Sequence, residues 1–485
     1  MPSQSVNPRT GQPFGPVLED TTIEELEAIV IRAVDASITW ANYPSDERAS
    51  VLDAVATALH ADAEALAQLA DEETGLGLPR LIGEVTRTAF QLRMFADALR
   101  TGTHLGMVID PPVAGDPPAG HPELRRMLIP LGPVAVYGAS NFPFAFSVLG
   151  GDTASALAAG CTVVVKAHPS HPQTCERVAQ IARAAIAQAG APDGTFAIVR
   201  GFEAGVALVE HPGIKAGAFT GSTAGGRALF DLAVRRPEPI PFYGELGSVN
   251  PVVVTPEAAK RADLAQAYVA SLFMGAGQFC TNPGLIFVPR ESGLSNSIAD
   301  LIATQPPGVL LNANVESNFG RHLADLVDIV GVLVISSSSP ADGGDGFTVS
   351  PAVLVTDVAT ALRDKRLLTT EVFGPVGIVV EYDGFAEVLT LIDALEGCLV
   401  STIHAESDEE MVPALVSALM HVSGRIVWNG WPTGVAVTGA QHHGGPYPAA
   451  TSALHTSVGT TAMRRFQRPV AFQSMPSHLL PSALQ

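Results

Sequence analysis

The sequence predicts an α/β protein of mostly parallel sheet, folded as more than one domain. Three observations carry the prediction. The chain has 485 residues, more than one hydrophobic core normally spans, so two or three domains are expected. From residue 127, short valine-rich segments alternate with segments of helical spacing, the pattern of βαβ units. The alternation starts afresh at NPVVVTP (250–256), which opens a second α/β region running to about 450. A composition of 47% hydrophobic and 16% charged residues can fill large cores and is not that of a disordered chain.

The elements follow in order. The opening MPSQSVNPRTGQPFG is polar and rich in proline and glycine, without the basic-then-apolar pattern of a signal peptide. TIEELEAIVIRAVDASITWA and DERASVLDAVATALHADAEALAQLADEE place apolar residues at helical spacing. Residues 21 to about 100 are therefore helical, with Asp46 opening the second helix. Glycine and proline in TGTHLGMVIDPPVAGDPPAG end that region. MLIPLGPVAVYG is then a strand, FSVLGGDTASALAAG a helix, CTVVVKAHP a strand and QTCERVAQIARAAIAQAG a helix. GTFAIVRG is a strand, EAGVALVEHP a short helix and GIKAGAFTG a strand. In the second region, helices near 261–280, 293–304 and 316–328 alternate with the strands LIFVP, VLVIS, AVLVT and VGIVVE. SSSSPADGGDG (336–346) reads as a surface loop. The tail TSVGTTAMRRFQRPVAFQSMPSHLLP is strand-like and suited to pair with an edge strand of this chain or of a neighbour.

Composition excludes some partners. A formal net charge of −20 repels phosphate backbones, so no nucleic-acid partner is expected. An anionic ligand must then be drawn in by local Lys, Arg or helix N-termini. AFSVLGGDTASALAAGCTVVV is interrupted by Gly150, Gly151, Asp152 and Thr153, so no membrane span is expected. Cys161, Cys175, Cys280 and Cys398 form no CxxC pair, which suits a reducing cytoplasm.

Several residues have a structural and a chemical reading. Cys280 in GQFCTNP is either a small buried hydrophobe or a nucleophile, and a nucleophile needs a base, an oxyanion site and a second substrate. Glu245 in GELG is either a solvated turn carboxylate or a partly buried general base with a raised pKa. Asn141, at the carboxyl end of the strand VAVY, either caps a helix or aims its amide at a developing oxyanion. FTGSTAGG (219–226) is a strand, a turn and a helix start. Gly221, Ser222 and Gly226 could admit a pyrophosphate at the helix N-terminus or simply make the turn. Lys166 ends the strand TVVV, either in solvent or reaching a ribose or phosphate. EVFGP (371–375) reads by itself as a charged turn before a strand.

In this order, ASNFPFAFS, ALAAGCTVVVKAHPSHP, FTGSTAGG, GELG, GQFCTNPG and EVFGPV resemble the NAD(P)-dependent aldehyde dehydrogenases over essentially the whole chain. The resemblance implies two doubly wound parallel-sheet domains plus a small β oligomerisation element. Residues 1–108 and 127–247 would form the NAD(P)-binding domain, 248–450 the catalytic domain, and 109–126 with 451–485 the oligomerisation or arm segments. It implies Cys280 as nucleophile, Glu245 as general base, and Asn141 with the backbone N–H of Cys280 as oxyanion hole. Lys166 would contact the adenosine ribose, and Ser222 with Gly221 and Gly226 the pyrophosphate. Glu371 and Phe373 would position the nicotinamide ribose and ring. The reaction implied is oxidation of a small-molecule aldehyde through a thiohemiacetal and a thioester, in a cytoplasmic homodimer or homotetramer.

The departures narrow the resemblance. ELGSV stands where the family commonly has ELGGK, and NGWPTGVAVTGAQHHGGPYPAATS replaces the usual late glycine–lysine motif. These segments, with NFPFAFSVLGGDTASALAAG and RPEPIPFYGELGSVNP, are most similar to 2-oxoglutarate semialdehyde (2,5-dioxopentanoate) dehydrogenases, with long-chain fatty aldehyde dehydrogenases as the alternative. NAD-preferring relatives often carry Glu three residues after the lysine, where this chain has Pro169. Without that carboxylate a 2′-phosphate meets less repulsion. NADP is therefore expected as the preferred cofactor, NAD as possible, and Lys166, Thr174 and Arg200 as candidates to bind the phosphate. The pairs His168/His171 and His442/His443 have no further ligand at a recognisable spacing, so no metal is expected and HHGGP reads as a loop near the active-site mouth. Two rivals are less favoured. Glu245 argues against a CoA-acylating enzyme, which needs no hydrolytic base, and the lack of a histidine flanking Cys280 argues against a non-redox Cys hydrolase.

Overall fold

The computed structural model describes residues 2–336 and 346–485, so most of the SSSSPADGGDG stretch lies outside the described residues. The opening is helical as expected, but the second helix starts at Ser45 after Pro44, which supplies no side-chain cap, rather than at Asp46, and the run breaks at Asp62. Helices span Ile23–Ala41, Ser45–Ala61, Ala63–Thr74 and Leu78–Arg100. The first starts at a capping box, where Thr22 accepts from the Glu25 backbone and the Glu25 carboxylate reaches back to the Thr22 N–H. Ahead of them the Pro/Gly-rich opening forms a hairpin, Ser3–Asn7 with Gln12–Leu18, which sequence periodicity did not signal.

The first sheet has five parallel strands, in the order Phe196–Val199, Val163–Lys166, Val134–Tyr137, Ala216–Thr220 and Phe242–Glu245. Both faces are covered, because alternate residues of each strand enter different cores. Val134, Val136, Val163 and Val165 pack on one side, and Ala135, Tyr137 and Val164 on the other. The strand order reverses at Val134–Tyr137, and such a reversal opens a crevice at the carboxyl ends of the strands. Asn141, Lys166, Ser222 and Glu245 all lie at or just past those ends.

The second sheet has seven strands, in the order Leu333–Ser336, Ala352–Asp357, Val376–Tyr382, Leu285–Pro289, Pro251–Val254, Cys398–His404 and Ser423–Trp428. All neighbours are parallel except the first pair. It too is doubly wound, with Phe287 and Val380 in one core and Ile286 and Val379 in the other.

Two boundaries differ from the sequence reading. MLIPLGPVAVYG is two strands rather than one. Leu124–Pro130 pairs antiparallel with Val108–Asp110 and with the tail strand Gln467–Gln473, whereas Val134–Tyr137 enters the five-stranded sheet. Residues 127–130 therefore belong to the small β element, and the tail finds its edge partner within the chain. The helix expected to reach 280 spans only Leu264–Phe273. Beyond it Gly275, Ala276 and Gly277 all have positive φ, which an α-helix cannot accommodate.

Candidate active site

Cys280 sits just past this left-handed turn. At Gly277 φ is +72°, and a Cβ there would collide with the backbone carbonyl of Gly374, so glycine is required on both counts. The turn is held by buried amides. Gln278 donates to Val309 O and accepts from Leu311 N at 2.9 Å, and Asn250 Nδ2 donates to the carbonyl of Cys280 at 2.8 Å. The Cys280 peptide N–H has no backbone acceptor among the described residues. Asn141 is buried beside it, with Nδ2 donating to Gln278 O at 3.0 Å. One of the two amide hydrogens is thereby spent on orientation, and the other remains for an oxygen in the cavity.

Glu245 ends the last strand of the first sheet and is almost fully buried. Its Oε1 lies 2.8 Å from Nε2 of His443, and its Oε2 accepts from Ser457 Oγ. The same His443 nitrogen stands 3.7 Å from Cys280 Sγ. The expectation for HHGGP is thus corrected. HHGGP is a loop, but His443 on it is buried in the site itself rather than at its mouth, and Cys280 does have a histidine beside it. Ser457 was also missed. Contact between positions 443 and 280 leaves no local spacing to read.

Electrostatics corrects a second expectation. Burial alone would raise the Glu245 pKa, but the charge and hydrogen bond of His443, the Ser457 hydroxyl and the charge of Arg465 together outweigh it, and the pKa is lowered. Glu245 is therefore held as a carboxylate. The Cys280 thiol moves the other way, pushed well above its ordinary value by burial first and then by the Glu245 and Glu371 charges, with Arg87 opposing. In the free enzyme the group is therefore mostly thiol at neutral pH. Below its pKa the thiolate fraction climbs about tenfold per pH unit. Iodoacetamide labelling of Cys280, followed by mass spectrometry, is expected to accelerate on that slope from pH 7 to 9. A flat profile would instead mean a thiolate–imidazolium pair already formed at pH 7.

A cavity of about 460 Å³ runs from Cys280, Glu245 and Asn141 past Leu246, Gly247, Glu371 and Phe373 to Ser222, Pro169 and Ser170. Gly138, Gly221, Gly225 and Gly247 contribute bare backbone to its lining, which suits the close approach of a dinucleotide. A Cβ at Gly221 would meet the Phe219 ring at 2.8 Å, and one at Gly247 would collide with the Glu371 carboxylate. Ser222 caps the helix Thr223–Arg235, accepting from Gly225 N at 3.2 Å, so its cap and ligand readings are compatible. Burial raises the Glu371 pKa to about 7.

Not every candidate reaches this cavity. Gly226 is buried behind it, where a Cβ would collide with Leu246, so it serves close helix–strand packing instead. Thr174 is buried with its hydroxyl donating to Glu73 at 2.6 Å, and its backbone N–H bonds the same carboxylate. It faces a helix cap, not a phosphate. Arg200 is held by Glu176 at 2.7 Å and by the carbonyl of Glu19. Lys166 packs its stem against Gly205, and burial lowers its pKa, opposed by the charges of Cys175 and Asp20. His171 Nε2 donates to Ala139 O at 3.0 Å and its Nδ1 lies 3.2 Å from Cys175 Sγ, so both nitrogens are occupied by the protein. The ligating atoms of Glu245, Cys280 and His443 lie within 4.8 Å of one another, the single such cluster found among the described residues.

Comparison with known proteins decides the family. The aldehyde dehydrogenase family model matches residues 2–468. This chain belongs to the aldehyde dehydrogenase family. The enzyme is accordingly an oxidoreductase that acts on aldehydes with NAD(P), and its sheets are those of the family fold. It is 42% identical to an alpha-ketoglutaric semialdehyde dehydrogenase of Acinetobacter baylyi, over 99% of this chain and 92% of the relative. It is 41% identical to alpha-ketoglutaric semialdehyde dehydrogenase 2 of Azospirillum brasilense, over 99% and 93%. In fold it is similar to a 3,6-anhydro-L-galactose dehydrogenase in complex with NAP, at TM-score 0.81, 24% identity and coverage of 97% and 96%. A 1-pyrroline-5-carboxylate dehydrogenase from Thermus with bound NAD also gives a TM-score of 0.81, at 21% identity and coverage of 97% and 90%. Among the described residues of this aldehyde dehydrogenase no helix is long and apolar enough to cross a membrane.

Proposed function

We propose that the enzyme oxidises 2-oxoglutarate semialdehyde (2,5-dioxopentanoate) to 2-oxoglutarate, with Cys280, Glu245 and Asn141 as its catalytic residues. The observation that carries the catalytic part is the meeting of these three residues in one cavity whose lining continues to Ser222 and Pro169. The substrate follows from relatives of that activity at 41–42% identity over the whole chain.

The chemistry proceeds from the residues. Cys280 sulfur adds to the aldehyde carbon, and its proton leaves to solvent through the Glu245–His443 pair, whose shared nitrogen stands beside it, so that Glu245 is ionised again before hydrolysis. Asn141 Nδ2 and the Cys280 N–H stabilise the resulting oxyanion. NAD(P)+, when bound, supplies the hydride acceptor. Loss of hydride leaves an acyl thioester on Cys280. Glu245, held ionised by His443 and Ser457, then takes a proton from water as the water attacks the thioester. The acid leaves and the thiol is restored. This need for a hydrolytic base disfavours a CoA-acylating reaction.

NADP is the preferred cofactor in this reading, with NAD also accepted. Pro169 lines the cavity where a carboxylate would repel a 2′-phosphate, and Lys166 is the cation at the adjoining strand end. With Thr174 committed to Glu73 and Arg200 to Glu176, Lys166 is the remaining candidate of the three. Four free thiols suit a cytoplasmic protein, and the exposed edge strand Val108–Asp110 suits assembly as a homodimer or homotetramer.

A panel of 2,5-dioxopentanoate, succinate semialdehyde, glutaraldehyde and long-chain aldehydes, each with NAD and NADP, tests these assignments. The highest kcat/KM is expected for 2,5-dioxopentanoate with NADP. A long-chain aldehyde in first place would overturn the substrate, and NAD better by about tenfold, or about 1.4 kcal/mol, would overturn the cofactor preference.

A further inference from the structure

The semialdehyde carries a carboxylate at the end opposite its reacting carbon, and an acidic protein must hold that charge with a local cation. The helix Leu78–Arg100 places three charged residues, Arg80, Glu84 and Arg87, at spacings that share one face. That face runs along the loop 141–146. Arg80 Nη2 donates to Asn141 O at 2.7 Å, with its guanidinium over the rings of Phe142 and Phe279 at 4.9 and 4.6 Å. Glu84 accepts from the backbone N–H groups of Phe144 and Ala145 at 2.8 and 3.0 Å. Arg87 lies over the ring of Phe146 at 5.5 Å. Asn141, Phe142 and Phe146 line the cavity at Cys280, so the charged face backs the aldehyde end of the site.

Three arginines flank the oxyanion loop and the nucleophile, and they differ in what they hold. Arg80 donates Nη2 to the oxyanion loop, while its buried Nε and Nη1 have no partner among the described residues. Arg425 donates both terminal nitrogens to the carbonyls of Gly434 and Pro432, at 2.7 and 2.6 Å. Arg87 has buried Nε and Nη2 atoms with no hydrogen-bond partner among the described residues. Its charge nevertheless acts on both Cys280 and Glu245. Buried guanidinium donors without partners are costly unless a ligand supplies the acceptors. A carboxylate fits that planar fork bidentately.

We propose that Arg87 binds the distal carboxylate of the semialdehyde and sets the preference of the enzyme for acidic over neutral aldehydes. The Phe142 and Phe146 rings flank the methylene segment between the two ends. This assignment rests on the semialdehyde reading above, and the experiment separates the two.

The readout is the ratio of kcat/KM for 2,5-dioxopentanoate to that for pentanal, in the wild type and in Arg87→Met and Arg87→Lys. The methionine variant is expected to lower the ratio by about 10- to 100-fold, chiefly through KM for the acid, as loss of a charge-assisted hydrogen-bonded pair would. The lysine variant keeps the charge without the fork and is expected to retain an intermediate ratio. An unchanged ratio in Arg87→Met overturns the role of Arg87 and leaves the substrate assignment standing. A wild type without preference for the acid overturns the substrate assignment, and the role of Arg87 with it. Should the methionine variant not fold, an unchanged ratio in Arg87→Lys is the overturning result.

Discussion

Replacing Cys280 by alanine is expected to abolish aldehyde oxidation, lowering kcat by at least about 10⁴-fold, the scale on which loss of a nucleophile falls. Binding of NADP should survive, because the groups assigned to it, Ser222, Glu371 and Phe373, lie elsewhere along the cavity. Serine tests the point more sharply. Its hydroxyl has nearly the shape of the thiol but is far less nucleophilic, so Cys280→Ser should be nearly as inactive. Mass spectrometry of the working wild type should find an acyl group on Cys280. A serine variant running at full rate, or turnover without any acylated cysteine, would refute the covalent mechanism. Stability should change little. Cys280 is only half-buried and its side chain is small, so about 1 kcal/mol bounds the expected cost.

Glu245→Gln is expected to separate the two halves of the reaction. Glutamine keeps the volume and can still accept from Ser457, but it cannot take a proton from water. Hydride transfer should then proceed once per site, giving a burst of reduced cofactor, while steady turnover falls by about 10²- to 10⁴-fold. The acyl enzyme should accumulate in proportion to the burst. A variant that loses the burst as well would mean that Glu245 is needed for thiol deprotonation too, which its contact with His443 permits. The pH dependence has a definite sign. The Glu245 pKa is lowered, so its carboxylate is present throughout the neutral range and is lost only as pH falls below the usual carboxylate range. His443→Ala removes the leading cause of that lowering. The acid limb of the deacylation profile should therefore move to higher pH, as a profile of steady rate from pH 4 to 8 would show.

Much of this enzyme was legible because its signals are local. The valine runs at 134–137, 163–165 and 251–254 are buried strands in parallel sheets, and such strands read as continuous apolar runs. Cys280, Glu245 and Asn141 stood in short motifs, and the fold brought them together. Misread boundaries had local causes as well. Nothing in MLIPLGPVAVYG marks where one sheet ends and another begins, because Leu124–Pro130 and Val134–Tyr137 are both strands by composition.

By itself, then, the sequence determined the alternation of strand and helix, the cysteine proposed as nucleophile, and the order of the motifs. Each of these depends on residues within a few positions of one another, where periodicity and turn chemistry act. The tertiary structure alone decided which groups surround the sulfur. It buried His443 between Cys280 and Glu245, turned Thr174 toward Glu73, and left Arg87 with unspent donors behind the oxyanion loop. The pKa of Glu245 followed the same rule, since the fold set histidine, serine and arginine around a carboxylate whose pKa burial alone would have raised. Contacts across one or two hundred residues obey no period along the chain. They are fixed only when helices and sheets pack, and packing chooses which face of each element meets the site.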